Sequence, residues 1–384
     1  MKIYLDNSAT TPLSDAAKAK LTEAAECYGN PSSLHEAGLA AEKLVSEARK
    51  TILSALGARQ GELVFTSCGT EATSLALFGT AFAKERRDAN RILTTDSEHP
   101  SVENALQRLE KYGFEVIRIP TRAGVLDMQR LEASLDKKIF SASFMMVNNE
   151  TGALYGVGEA FKKIKKKYPA AITHCDAVQG FLKVPFTPER ISADLVTLSG
   201  HKVHAPKGVG ALYISKELIK TKSIVPFLVG GGQEKGMRSG TENVIGISAF
   251  GGAVADIYPR LKENFEKMTI LGKYAEDKLA RLDVRLNLPI GEKAPHIINL
   301  TLPSIKSETM LHYLSQKGIY VSSGSACSSH SGKASSSLLA FGLDAHSADC
   351  SLRISLSEYN TESDIDALAE ALGEGIDTLV RIKR

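Results

Sequence analysis

The feature that most limits the fold of this chain is an alternation of short β-rich segments with helical patterns, which begins near residue 62. Helical patterns lie between several of the strand-like segments, as at 101–113, where Ser101 is the expected N-cap and Gly113 the expected stop. Such alternation predicts a mostly parallel sheet with helices on both faces, and sheets of this type bind ligands at the carboxyl ends of their strands. The candidate strands are 62–67, 91–96, 114–120, 140–148, 171–176, 194–199 and 210–215.

After about residue 250 the pattern changes. A long helical stretch at about 246–283 is followed by three segments that alternate as half-buried strands do, at 296–302, 319–323 and 351–357. The chain closes with a helical pattern in which Thr361 and Asp364 form a capping pair. This part predicts a smaller α+β domain, and 384 residues are enough for both domains.

Charge and cysteine usage exclude several kinds of site. The net charge is only +3, and the Lys-rich run at 162–167 is interpreted as a solvated helix end, so nucleic acid is not an expected partner. No apolar run approaches the roughly 18 residues that cross a bilayer, and Asp6 interrupts the segment that a signal peptide would need. Five cysteines without a CxxC pair argue against a disulfide framework or a zinc site, so we expect a cytoplasmic protein without a metal.

Polar residues follow two neighbouring candidate strands where those strands end. Asp176 and Gln179 follow one strand, and Ser199, His201 and Lys202 follow the next. Each residue alone is most simply a turn residue or a surface lysine. Together they offer what a pyridoxal-phosphate enzyme needs, which is a lysine for the Schiff base and a carboxylate for the pyridinium nitrogen.

A phosphate site is indicated at the junction of an earlier strand and helix. Gly69 and Thr70 follow the strand at 62–67 and open a helical pattern. Backbone N–H groups at a helix start, with a glycine that allows close approach and a hydroxyl beside it, suit a phosphate group. This junction alone is common in proteins, so it supports the interpretation only together with Asp176 and Lys202.

Nine sequence blocks, spread over essentially the whole chain, carry a resemblance to a known protein family, and they occur in the same order as in that family. They read YLDNSATTP, GNPSSLH, FTSCGTEA, SEHPSV, VNNETG, HCDAVQG, LSGHKVHAPKGVGALYI, GGGQEKGMRSGTEN and SSGSACSS. In these blocks the chain resembles the cysteine desulfurases of the class V aminotransferase family. The resemblance implies an α/β fold of the aspartate-aminotransferase-like type I, with a mainly parallel seven-stranded sheet. It implies a large cofactor-binding domain at 15–250, and a small α+β domain made of 1–14 and 251–384.

The resemblance also implies roles in cofactor binding. Lys202 would bind pyridoxal 5'-phosphate covalently and move the substrate's α-proton, and Asp176 would pair with the pyridinium nitrogen. Gln179 would hydrogen-bond the phenolic oxygen, while His99 would stack on the ring and take part in catalysis. The residues implied for the phosphate are Gly69, Thr70, Ser199, His201 and, from the neighbouring subunit, Thr241.

The substrate implied by the resemblance is L-cysteine, with its carboxylate held by Arg353 in bidentate geometry and with Asn149 assisting. In this family a thiolate attacks the substrate sulfur, which leaves L-alanine and an enzyme-bound persulfide. Cys327 lies in GSACSSHSGKASSS, whose serines and glycines give the backbone the freedom that a mobile catalytic loop needs. Cys327 is therefore the predicted nucleophile, and the other four cysteines are expected to be structural.

Some features depart from the family pattern. Cys68 and Ala205 stand where glycine is common, which alters packing beside the cofactor. The segment after Cys327 lacks the Glu-Pro of many scaffold-supplying members, so the sulfur acceptor stays open among an iron–sulfur scaffold, a tRNA-thiolation enzyme and another carrier. A homodimer is expected, because the family uses the GMRSGT block in a phosphate site shared between subunits.

Two alternative functions stay open. A selenocysteine lyase, or another class V pyridoxal-phosphate enzyme, would use the same residues, although Cys327 argues against a plain aminotransferase, which needs no thiol. A catalytically silent scaffold of the same fold is the alternative from a different class. The presence of Lys202, Asp176 and Arg353 argues against it.

Overall fold

The structure is a computed structural model that describes residues 2–83, 89–323 and 334–380. In these ranges, no helix is both long enough and apolar enough to cross a membrane. The strands are β1 Ile3–Tyr4, β2 Glu62–Thr66, β3 Arg91–Thr95, β4 Glu115–Ile119, β5 Ile139–Met145, β6 Ile172–Asp176, β7 Leu195–Ser199, β8 Gly210–Ile214, β9 Arg285–Leu286, β10 Ile297–Thr301, β11 Ile319–Tyr320 and β12 Ser351–Ser355. The helices are α1 Asp15–Ala25, α2 Glu36–Ala55, α3 Gly69–Ala81, α4 Pro100–Glu110, α5 Met128–Ala133, α6 Val157–Lys167, α7 Pro188–Ile191, α8 Lys216–Lys220, α9 Val244–Ile257, α10 Leu261–Leu279, α11 Ser307–Gln316, α12 Ser336–Phe341, α13 Ala345–Asp349 and α14 Glu362–Thr378.

A seven-stranded sheet forms the centre of the molecule, in the order β2-β8-β7-β6-β5-β3-β4. The pairs from β7 to β4 are parallel, whereas β8 is antiparallel to both β7 and β2. Strands β6, β7 and β8 are buried along their whole length, as expected for strands covered on both faces. The predicted α/β fold with a mainly parallel sheet is thus confirmed.

The helices cover this sheet with apolar faces that the sequence periodicity predicts. In α6 the buried residues are Val157, Ala160, Phe161 and Ile164, which recur at the spacing of one helical face. Its last turn carries the lysines of the run at 162–167, beside the partial negative charge of the helix C-terminus.

A second set of strands lies in the carboxyl-terminal part of the chain. Strands β12, β10 and β9 form an antiparallel sheet, and β1 pairs in parallel with β11. A separate apolar core surrounds them and includes Leu5 together with Leu300, Leu352 and Leu368. The division of the chain at residues 14 and 250 stays a prediction. Residue 250 itself falls inside α9, which packs on α1 and α2.

Two local predictions are wrong, each for a physical reason. The helical stretch at 246–283 is two helices, α9 and α10, separated by a single 3-10 turn at Tyr258–Arg260. Proline has no N–H group for the α-helical ladder, so Pro259 accounts for this break. The N-cap of α4 is His99 and not Ser101, because the His99 ring accepts the Ser101 backbone N–H.

Candidate active site

A cavity of about 280 Å³ opens at the carboxyl ends of β5, β6 and β7, where parallel α/β sheets place their ligands. Ten residues named from the sequence line it: Gly69, Thr70, His99, Asn149, Asp176, Gln179, Ser199, His201, Lys202 and Arg353. Thr241 lies elsewhere, in a groove that also contains Thr66 and Gly208. Cys327 is outside the described residues.

The side chain of Lys202 points from a 3-10 turn directly after β7 towards the amino-terminal segment. Its Nζ donates to the carbonyl oxygens of Ser8 at 2.6 Å and Ala9 at 2.8 Å. The same Ser8 oxygen accepts an N–H of the Gln179 amide at 2.9 Å. The first residues of the chain thus form one wall of the cavity and hold the amine in place.

Asp176 ends strand β6 and lies on the cavity floor. Burial raises the pKa of its carboxyl group to about 6, against the opposing effects of the Val178 N–H and the positive charge of Lys202. The Val178 N–H donates to Asp176 Oδ1 at 3.0 Å. A buried carboxylate of this kind binds a protonated ring nitrogen well, because the positive charge of the ring favours the ionised form of the carboxyl group.

The ring of His99 is neutral and held in one tautomer. Burial, aided by the positive charge of Lys202, lowers the pKa of His99 to about 4. Its Nδ1 accepts the backbone N–H of Ser101 at 3.1 Å, so the proton of the neutral ring is on Nε2. A neutral ring packs against a cofactor without adding a second positive charge beside Lys202.

The start of α3 fits a phosphate group. Its N-cap is Cys68, whose side chain makes no capping hydrogen bond, so the first N–H groups of the helix are left for another acceptor. At Gly69 a Cβ atom would come within 3.2 Å of Val178 Cγ2 and 3.3 Å of Ser199 Cβ, which is tighter than ordinary contact. Glycine therefore keeps this backbone accessible, and the donors and the helix dipole favour an anion.

Arg353 lies on β12 at the far side of the cavity, almost completely buried. Its Nη2 donates to Asp6 Oδ1 at 2.8 Å and its Nη1 to the Asn149 carbonyl oxygen at 3.0 Å, while its Nε has no partner among the residues that the structure describes. A guanidinium group has five N–H donors, so donors are left for a ligand carboxylate. Asp6 is therefore a member of the site to which the sequence reasoning assigned no role.

Glu98 is a second acidic residue that the sequence reasoning missed. Its Oε1 accepts from the Met145 N–H and the Thr95 hydroxyl, both at 2.8 Å, and its Oε2 has no partner in the described part of the chain. Burial, aided by the negative charge of Asp176, raises the pKa of Glu98 to about 8. Its carboxyl group is thus mostly protonated at neutral pH. Glu98 stands in the SEHPSV block, which offered the only signal for it.

The described residues on either side of 324–333 are anchored beside the cavity. Ser322 and Arg353 exchange backbone hydrogen bonds at 2.7 and 3.1 Å. After the gap, the Ser335 hydroxyl donates to Glu150 Oε1 at 2.8 Å, and Glu150 follows the cavity residue Asn149. Ser322 and Ser335, which stand on either side of the segment that contains Cys327, therefore both lie beside the cavity.

Comparisons with known proteins give one consistent result. Residues 3–368 match the family described as "Aminotransferase class-V". The chain is 39% identical over 381 residues to a cysteine desulfurase from Nostoc sp. (strain PCC 7120), covering 98% of this chain and 93% of that protein. It is 37% identical over 384 residues to the cysteine desulfurase IscS of Dictyoglomus turgidum, covering 98% and 95% of the two chains.

Solved structures agree with the sequence relatives. A NifS-like protein superposes with a TM-score of 0.91 at 34% identity, covering 99% of this chain and all of the other. A NifS-like protein from Rickettsia africae superposes with a TM-score of 0.87 at 32% identity, covering 98% of this chain and all of that one.

Proposed function

The chain belongs to the class V aminotransferase family, and from this membership we propose that it is a cysteine desulfurase that takes sulfur from L-cysteine and passes it to an acceptor protein. The observation that carries the proposal is the convergence of Lys202, Asp176 and Arg353 on one cavity. These residues are an amine, a buried carboxylate and a carboxylate-binding guanidinium. They come from three separate strands or turns, so their meeting was not forced by nearness in sequence.

The residues present fit pyridoxal 5'-phosphate, which is the cofactor that we propose. The start of α3, with Gly69 and Thr70, would hold the phosphate group, and Ser199 and His201 line the cavity near it. Asp176 would face the pyridinium nitrogen, and Gln179 would donate an N–H group to the ring oxygen. When bound, this cofactor supplies an electron sink for the reaction.

The remaining steps are assigned to the side chains of the protein. Lys202 Nζ moves the α-proton of the substrate, and Arg353 holds the substrate carboxylate with its free N–H groups. The neutral His99 ring, with its proton on Nε2, is a proton donor beside the reacting atoms. Asp176 is only 6% exposed, which limits the access of water to its carboxyl group.

Sulfur transfer is assigned to Cys327. Its thiolate Sγ forms a bond to the substrate sulfur while the carbon–sulfur bond breaks, and the electron pair stays on carbon. That carbon takes up a proton to give L-alanine, and the protein keeps a persulfide. Cys327 is five residues from Ser322, and five residues of chain span at most about 18 Å. Because Ser322 pairs with Arg353, the thiol is within chain reach of the substrate site.

A homodimer completes the proposal. Thr241 lies in the groove that also contains Thr66 and Gly208, away from the cavity that contains Lys202. We propose that Thr241 binds the phosphate group held by a second copy of the chain, which explains why the two positions are apart within one copy.

The test uses wild type, Cys327→Ser and the matched control Cys27→Ser, each incubated with L-cysteine. A thiol reductant is added where sulfide is assayed, because it reduces the persulfide to a thiol and sulfide, and it is left out where the persulfide itself is detected. We expect wild type and Cys27→Ser to form L-alanine and sulfide in equal amounts, and mass spectrometry to find added sulfur on Cys327. Cys327→Ser should keep the visible absorbance of the cofactor and release no sulfide. Undiminished desulfuration by Cys327→Ser would refute the role of this thiol. A yellow wild-type protein that forms no alanine would refute cysteine as the substrate.

A further inference from the structure

A buried lysine that the proposed mechanism does not use lies beneath the cavity floor. Lys183 is 8% exposed, and burial lowers the pKa of its amine to about 8. It lines a second, small cavity on the other side of Lys202, together with His204 and Glu358. A buried ammonium group is costly unless hydrogen-bonded and paired, so its place beneath the site calls for a function.

The backbone before Lys183 adopts an unfavourable conformation to place it there. Leu182 is buried and has a φ of 57°, in the left-handed region that residues other than glycine rarely adopt. Such conformations persist only where the surrounding structure enforces them, and they cluster at functional sites. At this turn, the left-handed residue directs the next side chain into the protein interior.

The partner of Lys183 in the site is Gln179. Lys183 Nζ donates to Gln179 Oε1 at 3.4 Å, while Gln179 Nε2 donates to the Ser8 carbonyl oxygen at 2.9 Å. The two contacts define the orientation of the amide, because an ammonium group binds only the oxygen end and a carbonyl oxygen only the nitrogen end. The second N–H of Gln179 is thereby available to an acceptor in the cavity.

We propose that Lys183 is a positioning residue for the cofactor, whose buried ammonium holds and polarises the Gln179 amide so that its N–H group binds the ring oxygen. The inference rests on the proposed function, since it needs a pyridoxal-phosphate ring in the cavity. Accepting a hydrogen bond from a cation makes the amide N–H a stronger donor. Without Lys183, only the Ser8 oxygen would hold the amide, and the Gln179 oxygen would be left unpaired.

The charged groups around Lys183 do not replace it in this role. Glu358 favours its ammonium form and Arg353 disfavours it. Glu358 Oε2 is 3.5 Å from His204 Nε2, so the acid has a second partner if Lys183 is removed. The substitution Lys183→Met therefore removes the donor to Gln179 without leaving Glu358 alone.

The experiment measures the cofactor dissociation constant and the pH midpoint of its visible absorbance band, on the full chain loaded with pyridoxal 5'-phosphate. Lys183→Met should weaken binding roughly tenfold, as expected for one hydrogen bond to a charged group. The pH midpoint should rise, because the Gln179 N–H becomes a weaker donor and the ring oxygen that accepts from it becomes more basic. Lys183→Arg should restore both values, and Lys165→Met, which removes a lysine paired with Asp194, should change neither.

A double-mutant cycle with Gln179→Ala separates a positioning role from a structural one. In the Gln179→Ala background, Lys183→Met should have no further effect on either measurement. If Lys183→Met had the same effect in the wild-type and Gln179→Ala backgrounds, or no effect in the wild-type background, the inference would be overturned. If Lys183→Met lacks a cooperative melting transition, Lys183→Gln takes its place in the cycle. A wild type that binds no cofactor would overturn the proposed function, and this inference with it.

Discussion

The ion pair between Asp6 and Arg353 leads to a prediction about substrate binding. Arg353 is almost fully buried, and its Nη2 donates to Asp6 Oδ1 at 2.8 Å. If Arg353 binds the substrate carboxylate, that carboxylate and Asp6 share one guanidinium group. Asp6→Asn keeps the size of the side chain and an acceptor oxygen, but removes the competing negative charge.

The magnitude follows from the attraction between the two charges, because Asp6→Asn keeps a hydrogen bond from the charged guanidinium group and removes only the negative charge. Two unit charges about 4 Å apart attract by about 1 kcal/mol in water and about 4 kcal/mol near a protein surface. Because the Asp6 side chain is partly exposed, Asp6→Asn should lower the free energy of unfolding by about 1–2 kcal/mol without ligand. A bound carboxylate restores the lost charge next to Arg353. The same 1–2 kcal/mol then appears in binding, as a roughly 5- to 30-fold tighter complex.

The assay combines urea unfolding of the ligand-free protein with titration of the product L-alanine, and with the KM for L-cysteine. In Asp6→Asn the free energy of unfolding should fall, and the dissociation constant of L-alanine should also fall, which means tighter binding. The matched control is Asp15→Asn, which makes the same change at an exposed ion pair with Lys18 and should alter neither quantity. Weaker L-alanine binding by Asp6→Asn would refute the reasoning, because Asp6 would then support the ligand rather than compete with it.

Three further predictions concern the pH dependence, the amine and the helix start. The folded pKa of Glu98 is about 8 against an ordinary 4.5, so the folded state keeps a proton that the unfolded chain loses, and stability falls as pH rises between these values. The side chain introduced by Glu98→Gln cannot ionise, so the free energy of unfolding of this variant in urea should rise relative to that of wild type between pH 5 and pH 8. The rise is at most about 1.4 kcal/mol per pH unit, and a difference that does not change with pH would contradict the assignment. Lys202→Ala should lose the visible absorbance of the covalently bound cofactor, and a spectrum unchanged from wild type would disprove the link. Gly69→Ala should weaken cofactor binding in equilibrium dialysis, because its Cβ would crowd Val178, whereas Gly156→Ala, which has open space, should bind as wild type does; equal affinities would count against the helix start as the phosphate site.

The sequence predicts the central sheet and much of the site because both depend on local patterns. The seven strands of the sheet are continuous β-rich segments, and their ends lie within one residue of the predicted positions, except that β5 ends three residues before the predicted end at 148. The sequence alone predicts that Asp176 and Lys202 lie close together, since the carboxyl ends of neighbouring parallel strands meet at one edge of the sheet. Strands β1 and β9 have only two residues each, which is too short for an alternating pattern to be recognised.

The rest of the site depends on contacts that no local pattern encodes. Asp6 and Arg353 are 347 positions apart and meet because β1 pairs with β11 and Asp6 forms a bridge with Ser355 of β12. The protonated state of Glu98 follows from its burial beside Asp176, whereas its sequence neighbours are those of an ordinary turn. The family blocks direct attention to these positions, but only tertiary packing shows what each side chain contacts.

The amino-terminal segment explains how the two halves of the site are kept in register. On one side the Thr11 N–H donates to the His201 carbonyl oxygen at 2.9 Å, next to Lys202. On the other side the Asn7 N–H donates to the Ser355 oxygen at 3.2 Å, on the strand that carries Arg353. Between these anchors, Ser8 and Ala9 bind Lys202 Nζ directly. The separation of the amine from the guanidinium group is therefore fixed by a short stretch of backbone. A displacement of one core relative to the other would have to break these hydrogen bonds before it could change the site.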